Sequence, residues 1–124
     1  VKGPGSLDLL NQMLTTDISK AAPGDSHISN IVNANGGLID DVLVYMLEPN
    51  VYRLSHGSGA TAATLKELAP KYDVTIETDD THVLSLQGPV SLDVLAPHTP
   101  LKIAELGYFK HAPTTLFGKS IQLA

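Results

Sequence analysis

The chain contains no cysteine and no tryptophan. The lack of cysteine excludes disulfides, thiolate zinc sites, cysteine-ligated iron–sulfur clusters and thiol catalysis within these residues, and it fits a reducing compartment. Basic charge is also scarce. Eight Lys and Arg residues are scattered among thirteen Asp and Glu, for a formal net charge of −5. No cluster of cations is available to neutralise phosphates, which argues against nucleic acid and against an anionic membrane surface as partners. No apolar run approaches the roughly 20 residues of a membrane-spanning helix, and no signal-peptide pattern opens the chain. What remains is 124 residues, 43% of them hydrophobic, enough for one modest domain with a core. The chain opens on Val1 and closes on the strand-like Ile121-Gln122-Leu123-Ala124, so it is expected to be a piece of something longer.

Apolar spacing and turn residues set out the elements. Leu7, Leu10 and Leu14 recur at helical spacing after Gly3-Pro4-Gly5, which predicts a helix over 4–14. Three strands follow, over 27–32, 37–47 and 51–56. They are joined by Asn33-Ala34-Asn35-Gly36 and Glu48-Pro49-Asn50, short turn sequences that predict an antiparallel meander. A helix is expected over 60–71, with Ala62, Leu65, Leu68 and Ala69 on one side, then strands over 74–78 and 83–87. Gly88-Pro89 opens a further helix to Leu95, a short helix is expected within 101–109, and 114–124 reads as a hairpin about Gly118-Lys119. Gly3 to Leu10 matches Gly88 to Leu95 at six of eight positions, which suggests a pseudo-duplicated strand–helix unit. Two copies are too few for a solenoid.

The adjacent carboxylates Asp40 and Asp41 lie inside a strand-forming run rather than in a turn. Side chains alternate across a strand, so the two must face opposite ways. A carboxylate aimed at the core is costly unless it is paired. On alternation alone either one is a candidate for chemistry, and an edge device against aggregation is the bland alternative. Asp41, Leu43 and Tyr45 share one face of their strand, and Tyr52, Leu54 and His56 share a face of the next. If the register brings these two sets together, they make one wall of an apolar slot with polar ends, the usual design of a small-molecule site.

Other motifs carry less. Gly57-Ser58-Gly59-Ala60-Thr61-Ala62 approximates a dinucleotide fingerprint, with Glu77 about twenty residues on, but the strand before it belongs to an antiparallel meander. The five histidines, His27, His56, His82, His98 and His111, form no close metal-ligand pair. His98 and His111 sit in Pro-flanked segments expected to be exposed, while His56 ends a strand beside a glycine turn, a good place for a polar group at a pocket mouth.

Taken in order, the Gly-Pro helix start, Thr15-Thr16-Asp17-Ile18, the run from Asn33 to Val44 with its Gly-Gly-x-x-Asp-Asp core, Tyr52-Arg53-Leu54-Ser55 and Leu84-Ser85-Leu86-Gln87-Gly88-Pro89 resemble the folate-binding domain of the aminomethyltransferase family. That family holds the T-protein of the glycine cleavage system and tetrahydrofolate-dependent demethylases. The resemblance spans nearly the whole chain. It implies an α+β fold of antiparallel sheets with flanking helices around a tetrahydrofolate cavity, and one-carbon transfer of a methyl or aminomethyl group. The partners implied are folate and a small donor, including one borne by a lipoyl carrier protein. The setting implied is the cytoplasm, or the mitochondrial matrix in a eukaryote. The second Asp of the pair, Asp41, maps onto the family's catalytic carboxylate, which leaves Asp40 as structural. Ile28 falls at a pocket-lining position. His56 is matched to a family position that is usually Asn, a departure that favours a demethylase-like or divergent member. The expected folate contacts are Asp41, His56, Ile28, Leu43, Leu54 and Tyr52, with no metal. The chain is then part of one folate-binding domain, with further segments before and after it, and by itself is expected to be inactive for want of cavity walls. The alternative is a non-catalytic folate-binding relative that serves iron–sulfur cluster assembly.

Overall fold

The structure is a computed structural model that describes residues 1–124. The chain forms two compact units, Val1–Thr78 and Asp79–Ala124. Together their elements make a small α+β fold of antiparallel sheets with flanking helices. No helix is long and apolar enough to cross a membrane.

The first unit begins with helix α1 (Ser6–Met13), followed by strands β1 (Ser26–Val32), β2 (Leu38–Glu48) and β3 (Val51–His56), then helix α2 (Gly59–Leu68) and a 3-10 turn at Ala69–Lys71. The strands form one antiparallel sheet in the order β1-β2-β3, as the turn sequences predict. In the β1–β2 turn, Asn33 Oδ1 accepts hydrogen bonds from the amides of Asn35 and Gly37, each at 2.9 Å, and Gly36 takes φ +78°, a left-handed value that most side chains resist. The β2–β3 turn is two residues long, Pro49-Asn50.

Alternation gives the sheet one dry face. Ile31, Val42, Val44 and Tyr52 from the strands are buried with Leu9, Leu10, Met13 and Leu14 of α1 and its end, Ile18, and Leu65 of α2. Leu7, expected on the buried stripe of α1, is only half-buried, because the stripe is centred on Leu9, Leu10 and Met13. On α2 the buried residues are Thr61 and Leu65, one turn apart.

The strand expected over 74–78 reduces to a single bridge. Thr75 pairs with Lys2, which also bridges Val51. Its Thr-Ile-Glu alternation favours a strand, but with one residue opposite it no ladder propagates.

The second unit holds helix α3 (Ser91–Leu95), 3-10 turns at Ala96–His98 and Ile103–Glu105, and a hairpin of β4 (Ala112–Leu116) and β5 (Lys119–Leu123). The short helix expected within 101–109 is thus one 3-10 turn. The strand expected over 83–87 is absent: no ladder partner pairs with it, and propensity alone does not supply hydrogen bonds. His111, expected exposed, is 7% exposed, with its Nδ1 2.7 Å from the amide nitrogen of Gln122 on β5. The hairpin turns back alongside it, a contact that no local sequence signal announces.

The duplicated octapeptide adopts one backbone twice. Gly3 and Gly88 hold φ of +129° and +134°. The amides of Ser6 and Ser91 donate to the carbonyls of Gly3 and Gly88 at 3.0 and 3.1 Å, and those of Leu9 and Val94 donate to Gly5 and Val90 at 3.0 and 3.1 Å. Both units therefore start their first helix with the same Gly-Pro turn.

Candidate functional site

The register between β2 and β3 decides which side chains meet. Leu43 stands opposite Ser55, Tyr45 opposite Arg53, Val44 opposite Leu54 and Met46 opposite Tyr52. Residues opposite one another project to the same face. One face of the sheet therefore carries Asp41, Leu43, Tyr45, Arg53 and Ser55. The β1–β2 register adds Ile28, opposite Leu43, and Asn30, opposite Asp41. The other face carries Asp40, Val42, Val44, Leu54 and Tyr52, with His56 opposite Val42 at its exposed end, and packs into the core.

This splits the six side chains singled out from the sequence. Asp41, Leu43 and Ile28 lie together on the outer face, where Ile28 is 56% exposed. His56 stands opposite Val42, so by register it belongs to the core-side face, but it ends β3 exposed and lines the cavity at that end. Tyr52 and Leu54 do not. Tyr52 is buried in the core, where burial pushes its phenol pKa up, and Leu54 packs against the same cluster. The set Tyr52, Leu54 and His56 was expected opposite Asp41. The pairing is out of phase with that expectation by one residue, and one residue is enough to send a side chain to the other face. Ser55, which the sequence presents only as part of the Tyr52-Arg53-Leu54-Ser55 motif and not among the expected folate contacts, lines the outer face with Asp41. Alternation along β3 together with the true register is the signal that would have found it.

At the β3 end of the outer face is an open cavity of about 320 Å³, lined by Asp41, Leu43, Ser55, His56 and Gly57. That volume lies near the lower end of small-molecule sites. The lining has a carboxylate, an imidazole and a hydroxyl around one aliphatic side chain. Such a set can accept hydrogen bonds from a flat polar ring and oppose positive charge on it.

Asp40 is occupied elsewhere. It is 7% exposed, and its carboxylate accepts hydrogen bonds from the Thr61 hydroxyl and, at 3.1 Å, from the Ser58 amide. The Thr61 bond is the main cause of a carboxyl pKa below its ordinary value. Burial opposes this, and the Ser58 and Asp41 amides and the nearby His56 add to it. Ser58 itself caps α2, its hydroxyl accepting from the Ala60 amide at 3.1 Å. These contacts also dispose of the glycine-rich fingerprint. Its strand runs antiparallel to β2, and at the start of α2 the Ser58 amide already donates to Asp40 and the Ala60 amide to the Ser58 hydroxyl.

Comparison with known proteins agrees with this architecture. Residues 1–123 match the model of the GCVT N-terminal domain family. The chain is 38% identical over 123 residues to the heme-dependent oxidative N-demethylase gamma subunit of Ectopseudomonas mendocina, covering 98% of this chain and 32% of that protein. It is 32% identical over 129 residues to the aminomethyltransferase of Deinococcus deserti, covering 100% of this chain and 36% of the relative. It is also 29% identical over 128 residues to the aminomethyltransferase of Thermosynechococcus vestitus, covering 100% of this chain and 35% of the relative. The chain spans about a third of the length of these curated relatives. It belongs to the GCVT N-terminal domain family.

Proposed function

We propose that the chain supplies one wall of a tetrahydrofolate site in a one-carbon transferase, with Asp41 as the carboxylate that meets the pterin. The observation that carries this reading is the fate of the two neighbouring aspartates. Asp40 is held by Thr61 and Ser58 inside the fold, whereas Asp41 faces a cavity beside Leu43, Ser55 and His56. Family membership supports the same reading, and so do the names of the relatives. An aminomethyltransferase and an N-demethylase subunit both concern a one-carbon unit attached to nitrogen. The donor class is therefore an N-methyl or aminomethyl compound, including an aminomethyl group borne by a lipoyl carrier protein.

The chemistry asks little covalent work of the protein. The bond from the migrating carbon to its donor atom breaks, leaving the electron pair on the donor atom, as a bond to a weakly basic pterin nitrogen forms, and the proton that this nitrogen gives up ends on the donor atom. A carboxylate at Asp41 holds the pterin N–H groups and offsets the positive charge that develops during transfer. Leu43 and Ile28 offer the aliphatic surface on which a flat ring rests. Holding donor carbon and acceptor nitrogen together supplies much of the rate. The other walls belong to the rest of the protein in this reading, and the chain alone is inactive.

The test uses the intact protein. Tetrahydrofolate is titrated calorimetrically into wild type, Asp41→Asn and Asp40→Asn, and turnover is followed with an N-methyl or aminomethyl donor. Removing an electrostatic stabiliser of this kind costs about 10²–10³ in turnover, so Asp41→Asn is expected to lose that much, and Asp40→Asn far less. Equal losses, or a wild-type protein that does not bind tetrahydrofolate, would reject the assignment.

A further inference from the structure

Ser58 links a buried carboxylate to an exposed ring. Its amide N–H donates to Asp40 Oδ2 at 3.1 Å, and its carbonyl oxygen lies 2.8 Å from His56 Nδ1. A carbonyl oxygen can only accept, so the hydrogen of this bond is on Nδ1. In the neutral ring the lone pair is then on Nε2, at the opposite edge. His56 is exposed and lines the cavity with Asp41. The corner that carries it is held from below. Thr61 donates to the same carboxylate oxygen of Asp40 as Ser58 does, and a Cβ built on Gly57 would lie 4.0 Å from the other oxygen. The corner 56–58 thus rests on Asp40.

We propose that Asp40 is a positioning residue for the cavity: acting through Ser58, it fixes His56 in the Nδ1–H tautomer, so that Nε2 stands as a hydrogen-bond acceptor at the rim of the cavity that Asp41 also lines. Two acceptors at one rim select a ligand edge that carries N–H donors and disfavour an edge that carries carbonyl oxygens. This rests on the folate reading of the same cavity, since a reduced pterin presents ring N–H and amino donors along one edge. The role also accounts for both members of the Asp-Asp pair. One aspartate meets the ligand, and the other sets the geometry of its neighbour at the rim.

Two measurements on the intact protein decide it. A long-range ¹⁵N–¹H spectrum of histidine-labelled protein, recorded without ligand, is expected to show protonated Nδ1 and bare Nε2 for His56. In Asp40→Asn the two tautomers are expected to mix. Tetrahydrofolate titrations then use His56→Gln, whose amide reaches the Nε2 position, and His56→Asn, whose amide reaches only Nδ1. One hydrogen bond of this kind is worth up to about tenfold in affinity. His56→Gln is therefore expected to bind within about threefold of wild type and His56→Asn about tenfold more weakly. Asp40→Asn is expected to lose about as much, and Asp40→Asn combined with His56→Asn no more than His56→Asn alone. His56 is exposed, so its variants keep the test decisive even where Asp40→Asn fails to fold. A proton on Nε2 in the wild type, full affinity in His56→Asn, or losses that multiply in the double variant would overturn the proposal. Tetrahydrofolate binding that depends on Asp41 but not on His56 would overturn it too while leaving the folate reading intact. Absence of folate binding in the wild type would overturn the folate reading, and the ¹⁵N spectrum would still decide the tautomer.

Discussion

The Thr61 hydroxyl of α2 donates to the Asp40 carboxylate of β2, and both residues are buried. This bond is the main reason the Asp40 carboxyl titrates below its ordinary value of 3.8. A carboxyl whose pKa is lower in the folded state than in the unfolded state stabilises the fold above the unfolded value. That stabilisation disappears as pH falls through the folded value. Asp40 therefore contributes fully from neutral pH down to about pH 5, and its contribution is lost progressively below about pH 4. Asp17, held by the Ser19 amide, and Glu77, paired with Lys2, are lowered too and share this window. The comparison that isolates Asp40 is urea unfolding of wild type and Thr61→Val between pH 7 and 2.5. Thr61→Val leaves burial as the leading influence on Asp40. It is expected to be less stable at neutral pH and to lose less on acidification, with the difference amounting to no more than about one proton per chain. A parallel pair of curves would show that the Thr61 bond has no such role.

The sheet faces make a second prediction. Tyr52 and Ile28 were both expected to touch folate, yet Tyr52 is 4% exposed on the core face and Ile28 is 56% exposed on the outer one. Truncating a large buried ring costs about 3–5 kcal/mol, whereas a surface truncation stays within about 0.5 kcal/mol. Tyr52→Ala is therefore expected to unfold readily, and Tyr52→Phe to bind tetrahydrofolate as wild type does. Ile28→Ala is expected to keep its stability and to weaken tetrahydrofolate binding several-fold in the intact protein. If Tyr52→Phe weakened binding and Ile28→Ala did not, the outer face would be the wrong face.

Much of this was legible in the residues. Asn33-Ala34-Asn35-Gly36 and Pro49-Asn50 are turn sequences whose chemistry forces a hairpin, and the three strands between and around them formed where expected. The opposite orientation of Asp40 and Asp41 follows from the two-residue period of any strand. Register did not follow, because it is set by long-range pairing and by irregularities such as the shift between Met46 and Glu48, and these leave no mark in one sequence. That is why the sequence puts Tyr52 and Leu54 on Asp41's face, where the register puts Ser55. The stretch at 83–87 has strand composition and no partner, and the burial of His111 depends on Gln122, eleven residues away. In each case the deciding contact is non-local. Local propensity describes what a segment can do, and the neighbour across the gap settles what it does.

The two Gly-Pro turns give the third prediction, because one backbone occurs in two surroundings. Gly3 and Gly88 share nearly the same positive φ, which a side chain resists at either place. A Cβ on Gly3 would lie 2.4 Å from the backbone oxygen of Asp73, whereas a Cβ on Gly88 would meet nothing within 4 Å. Gly88→Ala therefore carries only the backbone strain, about 1–3 kcal/mol. Gly3→Ala carries the same strain and also pushes the start of α1 away from Asp73, where the Gly5 amide now donates to the Asp73 carbonyl at 3.1 Å. Gly3→Ala is expected to be clearly the more damaging of the two. Amide hydrogen exchange locates the effect: protection should fall at Leu9 and Leu10 in Gly3→Ala, and at Val94 in Gly88→Ala. Equal losses of stability would mean that the contact with Asp73 yields easily. The Gly-Pro turn would then be held by its own backbone preference in both units.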